Sequence, residues 1–245
     1  MKGSISVRIV ALALAGAVGF GLIGCAGIHR SAEPGEERSA PVAGHSEHEP
    51  TLTPAKATAL LVEGNARFAA GRGLHPHQSP ERRRELATGQ RPFAVIIGCA
   101  DSRTSPELIF DQGLGDLFVI RVAGDVLDDV VLGSVEYAVE HLHSGLVVAL
   151  GHQRCGAVAA ARETVAAQGH AEGHIDSLVG AIRPAVEATA NQGAEATCRA
   201  NVLNTVRALR TSDPILRQRV EAGRIAVVGA YYDLETGVVT FLTGQ

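Results

Sequence analysis

Four short stretches of this 245-residue chain, Phe93–Gly98, Leu117–Val122, Leu146–Gly151 and Ile225–Ala230, are apolar almost throughout. A strand with one face in water alternates apolar and polar side chains, so runs without alternation are strands covered on both faces. Between them lie stretches of helical character, at roughly 126–142, 155–168, 174–190 and 194–210, and a further one spans Pro54–Ala70, ending before Gly71 and Gly73. Strands alternating with helices imply a mostly parallel sheet with helices on its faces. A last strand, Val238–Leu242, follows the turn-like Glu235-Thr236-Gly237 and adds an antiparallel edge. The expected fold is therefore α/β: a mostly parallel central β-sheet with an antiparallel edge strand, flanked by helices. No internal repeat and no second domain boundary is visible, so one domain is expected over residues 51–245.

Composition narrows the function. Apolar residues at 46% and charged residues at 20% exclude a disordered or fibrous chain. With 22 basic against 26 acidic residues the net charge is −4, and no basic patch marks a nucleic-acid partner. Four cysteines (Cys25, Cys99, Cys155 and Cys198) are too few and too far apart for a disulfide scaffold.

In open parallel sheets the chemistry collects beyond the carboxyl ends of the strands, where the strand order reverses. Directly after the first apolar run comes Cys99-Ala100-Asp101-Ser102-Arg103, and after the third comes His152-Gln153-Arg154-Cys155. The spacing of His152 and Cys155 puts both on one face at a helix start. Two thiolates and one imidazole form a soft donor set suited to zinc, with a fourth position left open. Asp101 could fill that position or stand beside it, and Arg103 is close enough to pair with its carboxylate. Two rival readings stay open. In the first, a nucleophilic cysteine sits over an anion with Arg103 as clamp, although this spacing offers no phosphate cradle and Asp101 would repel the anion. The second is a thiol redox site, which leaves His152 without a role.

These residues resemble the β-class carbonic anhydrases, and the likeness covers about residues 57–244. It runs through Gly64-Asn65-Ala66-Arg67-Phe68, the Cys-x-Asp-x-Arg segment, Pro106-Glu107, Gly115–Arg121, Ala123-Gly124, Ser134–Ala138 and Gly151–Val158. The resemblance implies zinc-dependent, reversible hydration of carbon dioxide to bicarbonate and a proton. One zinc per subunit would be held by Cys99, His152 and Cys155. Asp101 and Arg103 would form the catalytic dyad that orients the attacking hydroxide, with Asp101 as fourth ligand in a closed state. Gln112 is aligned with a glutamine that donates to bound bicarbonate in some relatives. The family also implies a homodimer or a higher even oligomer. Two departures are visible. Asp125 stands where many relatives have asparagine, and the chain has no tryptophan, so control through the family's tryptophan-containing bicarbonate site is not expected. The competing function is a zinc-stabilised binding protein that has kept the fold and lost catalysis. Retention of both Asp101 and Arg103 argues for the enzyme.

The first 24 residues carry Lys2 and Arg8, then an apolar run without an acid, the pattern of an export signal. Its end, Leu22-Ile23-Gly24-Cys25, resembles the lipobox of bacterial lipoproteins, in which the cysteine is lipidated and becomes the new N-terminus. Residues 25–50 lack apolar periodicity and read as a flexible tether, reaching roughly 25–30 Å by random-coil scaling. An exported protein is expected, periplasmic or on the cell surface, touching the membrane only through a lipid on Cys25.

Overall fold

The computed structural model describes residues 52–242; the stretches read as export signal (1–24) and tether (25–50), Cys25 among them, lie outside the described residues. Five strands build one sheet: β1 (Ala94–Cys99), β2 (Leu117–Val122), β3 (Leu146–His152), β4 (Ala226–Tyr232) and β5 (Val239–Leu242). Their order is β2-β1-β3-β4-β5. β1 pairs in parallel with β2 and β3, β3 pairs in parallel with β4, and β5 runs antiparallel to β4. Every residue of β1 and β3 is buried, as runs without alternation require. The edge strand β2 is only partly covered, and it alone of the three carries a charge, Arg121.

Among the described residues, eight α-helices surround the sheet. They are α1 (Pro54–Ala69), α2 (Pro80–Leu86), α3 (Pro106–Ile109), α4 (Asp129–His141), α5 (Gly156–Ala166), α6 (Ile175–Ala188), α7 (Ala194–Thr211) and α8 (Ile215–Glu221). On one face Val95, Ile97, Val147 and Ala149 pack against α4, α7 and α8. On the other, Ala94, Ile96, Leu146 and Val148 pack against α1 and α3. A third cluster, with Val158, Val179 and Ile182 of α5 and α6, gathers around Cys99, Cys155 and Cys198. None of the described helices is long and apolar enough to cross a membrane.

The expected elements are present with ends shifted by at most three residues. Helices α2, α3 and α8 were not expected. Two of them have seven residues and α3 has four, too short for an apolar repeat to declare itself. Helix α2 has no buried residue, but Ser79 accepting from the Arg82 amide and Pro80 at the first position form a start signal legible in sequence.

The Gly64-Asn65-x-Arg67 segment is a fastening. A Cβ on Gly64 would come within 1.8 Å of the Phe110 carbonyl oxygen, so only glycine lets α1 approach so closely. The Asn65 amide donates to the carbonyls of Ile109 (3.1 Å) and Gly237 (2.9 Å), and its oxygen accepts from the Val239 amide (2.8 Å). One buried side chain thereby ties α1 to both α3 and the last hairpin. Arg67 donates to Asp111 (2.6 Å), which also accepts from the Leu74 and His75 amides.

Burial pushes the Asp111 carboxyl up, but the Leu74 amide, Arg67 and the His75 amide outweigh it and hold it below the usual range. A carboxyl lowered on folding stabilises the fold above its unfolded pKa, and that stabilisation is lost as pH falls through the folded value. Asp111→Asn should therefore lower the thermal midpoint at pH 7, and the gap to wild type should narrow below about pH 4. Circular dichroism melts at both pH values test this; a gap of equal size at each would contradict it.

Candidate active site

Leaving β1, the chain adds β2 on one side and later returns to add β3 on the other. The strand order therefore reverses between β1 and β3, and the site lies at their carboxyl ends. Cys99 closes β1, His152 closes β3, and Cys155 is the residue from which α5 starts. The two thiol sulfurs and one imidazole nitrogen lie within 4.8 Å of one another, and all three residues are buried. A tetrahedral zinc with bonds of about 2.0–2.3 Å sets its ligand atoms roughly 3.3–3.8 Å apart, so small side-chain movements suffice to close the set.

His152 carries the most direct evidence that the residues fit a metal. Its Nδ1 lies 2.9 Å from the Gln153 carbonyl and donates there, which leaves the Nε2 lone pair free. Nε2 is buried and has no hydrogen-bond partner. A buried acceptor without a partner is costly in an apolar site, and a metal ion removes that cost. The Cys155 thiol and the Gly124 amide both point at Cys99 Sγ, the latter at 3.3 Å, and they hold the Cys99 thiol well below its ordinary pKa despite burial. Thiolate is the form that binds metal.

Asp101 stands at the rim of this triangle, its Oδ2 3.9 Å from His152 Nε2. Arg103 grips the carboxylate at both oxygens: Nε donates to Oδ1 (2.9 Å), Nη2 to Oδ2 (2.6 Å), and the Arg103 amide also donates to Oδ1 (2.9 Å). Hydrogen bonds from the Arg103 side chain hold the Asp101 carboxyl far below the usual carboxylate range, against the effect of burial. The structure thus brings Cys99, His152, Cys155, Asp101 and Arg103 together.

Gln112 is engaged elsewhere. Its amide donates to the Phe110 carbonyl (2.9 Å), and among the described residues no hydrogen bond joins it to the cluster.

Three supports were not expected. Arg121 donates to the carbonyls of Cys99 (3.1 Å) and Asp101 (2.5 Å), and Thr104 donates to the same two (3.2 and 2.9 Å). The third is the Gly124 amide on Cys99. Arg121 had a signal, being the lone charge inside an apolar strand. Thr104 and Gly124 act through loop geometry that no spacing announces.

The family model for carbonic anhydrase matches residues 94–239, from the first residue of β1 to the first of β5. Carbonic anhydrase 2 of Mycobacterium tuberculosis is 44% identical over 191 residues, covering 77% of this chain and 92% of the relative. This chain belongs to the β-class carbonic anhydrases. The carbonic anhydrase of Mycolicibacterium smegmatis is 42% identical over 193 residues, covering 78% of this chain and 94% of the relative. Among solved structures, a β-carbonic anhydrase of Aspergillus fumigatus superposes with a TM-score of 0.59 at 31% identity, covering 76% and 90% of the two chains. One of two tetrameric β-carbonic anhydrases from Sordaria macrospora gives 0.61 at 26%, covering 76% and 97%. The reaction is hydration of carbon dioxide and the metal is zinc, for which Cys99, His152 and Cys155 form the fitting donor set.

Within this family frame Asp125 is the notable residue. It is buried beside the cluster, at a positive φ of 45°. Burial, and then the negative charge of Cys99, push its carboxyl well up.

Proposed function

We propose that Asp101 and Arg103 are the catalytic pair of this hydration reaction, beside a zinc held by Cys99, His152 and Cys155 with its fourth position open. Zinc, when bound, supplies Lewis acidity that lowers the pKa of a water from 15.7 to about 7. Asp101, ionised because Arg103 grips it, accepts a hydrogen bond from the attacking water and turns its remaining lone pair toward carbon dioxide. Arg103 does more than lower the carboxyl pKa: by occupying both oxygens it would keep Asp101 from becoming a fourth ligand when a metal is bound. The bidentate pair beside the unpartnered His152 nitrogen carries this reading. Stopped-flow hydration and a zinc assay on the same sample test it. One zinc per chain with hydration no faster than buffer alone would leave only a zinc-stabilised scaffold.

We also propose a homodimer or higher even oligomer. Its support is the outer edge of β2, which pairs with no further strand among the described residues and where the Phe118 ring lies 6.3 Å from that of Tyr137 of α4. On the same helix Val130 is 77% and Tyr137 50% exposed. A monomeric mass in sedimentation equilibrium at micromolar concentration would exclude it. For location, the charged start, apolar run and Leu22-Ile23-Gly24-Cys25 support export and a lipid on Cys25. Cys25→Ser should release the protein from membranes or leave its precursor uncleaved. A wild-type mature chain that begins elsewhere and carries no acyl group would rule this out.

A further inference from the structure

We infer that Asn201 is a positioning residue for the metal site: from α7 it fixes the turn that donates a hydrogen bond to the Cys99 sulfur. The turn, Ala123–Asp125, is unusual, because Gly124 (φ 72°) and Asp125 (φ 45°) are both left-handed. A Cβ on Gly124 would also come within 2.8 Å of Ile182 and 3.0 Å of Ala157, so only glycine fits. Two consecutive residues in this region, one of them not glycine, do not hold their shape without outside contacts.

Those contacts come from α7. Asn201, 4% exposed, donates from Nδ2 to the Gly124 carbonyl (2.9 Å) and toward Asp125 Oδ2 (3.4 Å). Thr205, one turn further along the same helix face, donates to the Asp125 carbonyl (3.4 Å). With the Gly124 carbonyl held on one side of the turn, its N–H is aimed at Cys99 Sγ, 3.3 Å away. An N–H donated to a thiolate draws charge from the sulfur. In a donor set with two thiolates this restores part of the Lewis acidity that thiolates remove, the usual role of a group behind a metal ligand. Asn201 never touches the metal and acts through two links.

The inference rests on Cys99 being a metal ligand, and the test separates the two. Cobalt(II) is loaded into wild-type protein, Asn201→Ala and Thr205→Val, and the ultraviolet thiolate-to-cobalt band is recorded. Absence of that band in wild type would sink the ligand assignment itself. With the band present, Asn201→Ala should move it to longer wavelength, because a sulfur without its donor gives up charge more easily. Hydrogen exchange at the Gly124 amide should also quicken in that variant. Thr205→Val, which spares the Gly124 carbonyl, should move the band far less. A folded, fully loaded Asn201→Ala protein with both band and exchange unchanged overturns the inference. Should Asn201→Ala fail to fold, Asn201→Ser, whose hydroxyl is too short to reach Gly124, takes its place under the same criteria. Failure of both to fold would make the residue a fold determinant and count against the inference too.

Discussion

Replacing Arg103 with alanine should leave the zinc in place and lower carbon dioxide hydration about 10²–10⁴-fold, the range typical of a lost acid–base or orienting group. No ligand is touched, since Cys99, His152 and Cys155 form the donor set without it. What is lost is the two-point grip on Asp101, at 2.9 and 2.6 Å. The freed carboxylate begins 3.9 Å from the ligand nitrogen of His152, so a side-chain rotation brings it onto the metal and shuts the fourth position. Asp101→Ala should fall in the same range for a different reason: the position stays open while the attacking water loses its orienting acceptor. The two residues act as one unit, so the double variant should be little worse than the more damaged single. Stopped-flow hydration, with zinc measured on each sample, decides the matter. Near-wild-type rates in either zinc-loaded single variant would refute the dyad and leave the metal site standing.

The largest effect is expected from Cys155→Ala: loss of the zinc, and activity at the uncatalysed background. The remaining pair, Cys99 and His152, ends two different strands, and two donors do not retain zinc against dilution as three do. Cys198→Ala is the informative control. Cys198 is packed in the same buried cluster yet stands outside the triad, and burial pushes its thiol up to about 11, away from the thiolate a metal needs. That variant should keep its zinc. Elemental analysis finding Cys155→Ala fully loaded would overturn the ligand assignment.

Much of this was legible in the sequence, for identifiable reasons. Strands buried on both faces write themselves as unbroken apolar runs, which placed β1, β3 and β4 within a residue or two. Because such strands end where an open sheet does its chemistry, Cys99, Asp101, Arg103, His152 and Cys155 could be singled out before any coordinates. Helix α2 stayed hidden because it buries nothing, and α3 and α8 because they are too short for an apolar repeat to declare itself. Gln112 was aligned by resemblance alone; its amide donates one hydrogen bond to Phe110, which leaves its second N–H unassigned. Asn201 and Gly124 lie 77 positions apart, and their hydrogen bond exists only through the packing of α7 on the turn. No local pattern encodes such a contact.

The two halves of the zinc triad are carried by neighbouring strands, β1 and β3, whose parallel ladder ends with Gly98 opposite Leu150. A slip of one residue in that ladder would turn Cys99 to the opposite face and scatter the donors. The crossover that joins the two strands includes all of β2 and α4, so their pairing is a non-local contact that carries a loop-closure cost. In small zinc modules the ion gathers an otherwise unfolded chain. Here the three donors meet only once β1 and β3 are in register, so zinc uptake during refolding should report the pairing of those two strands.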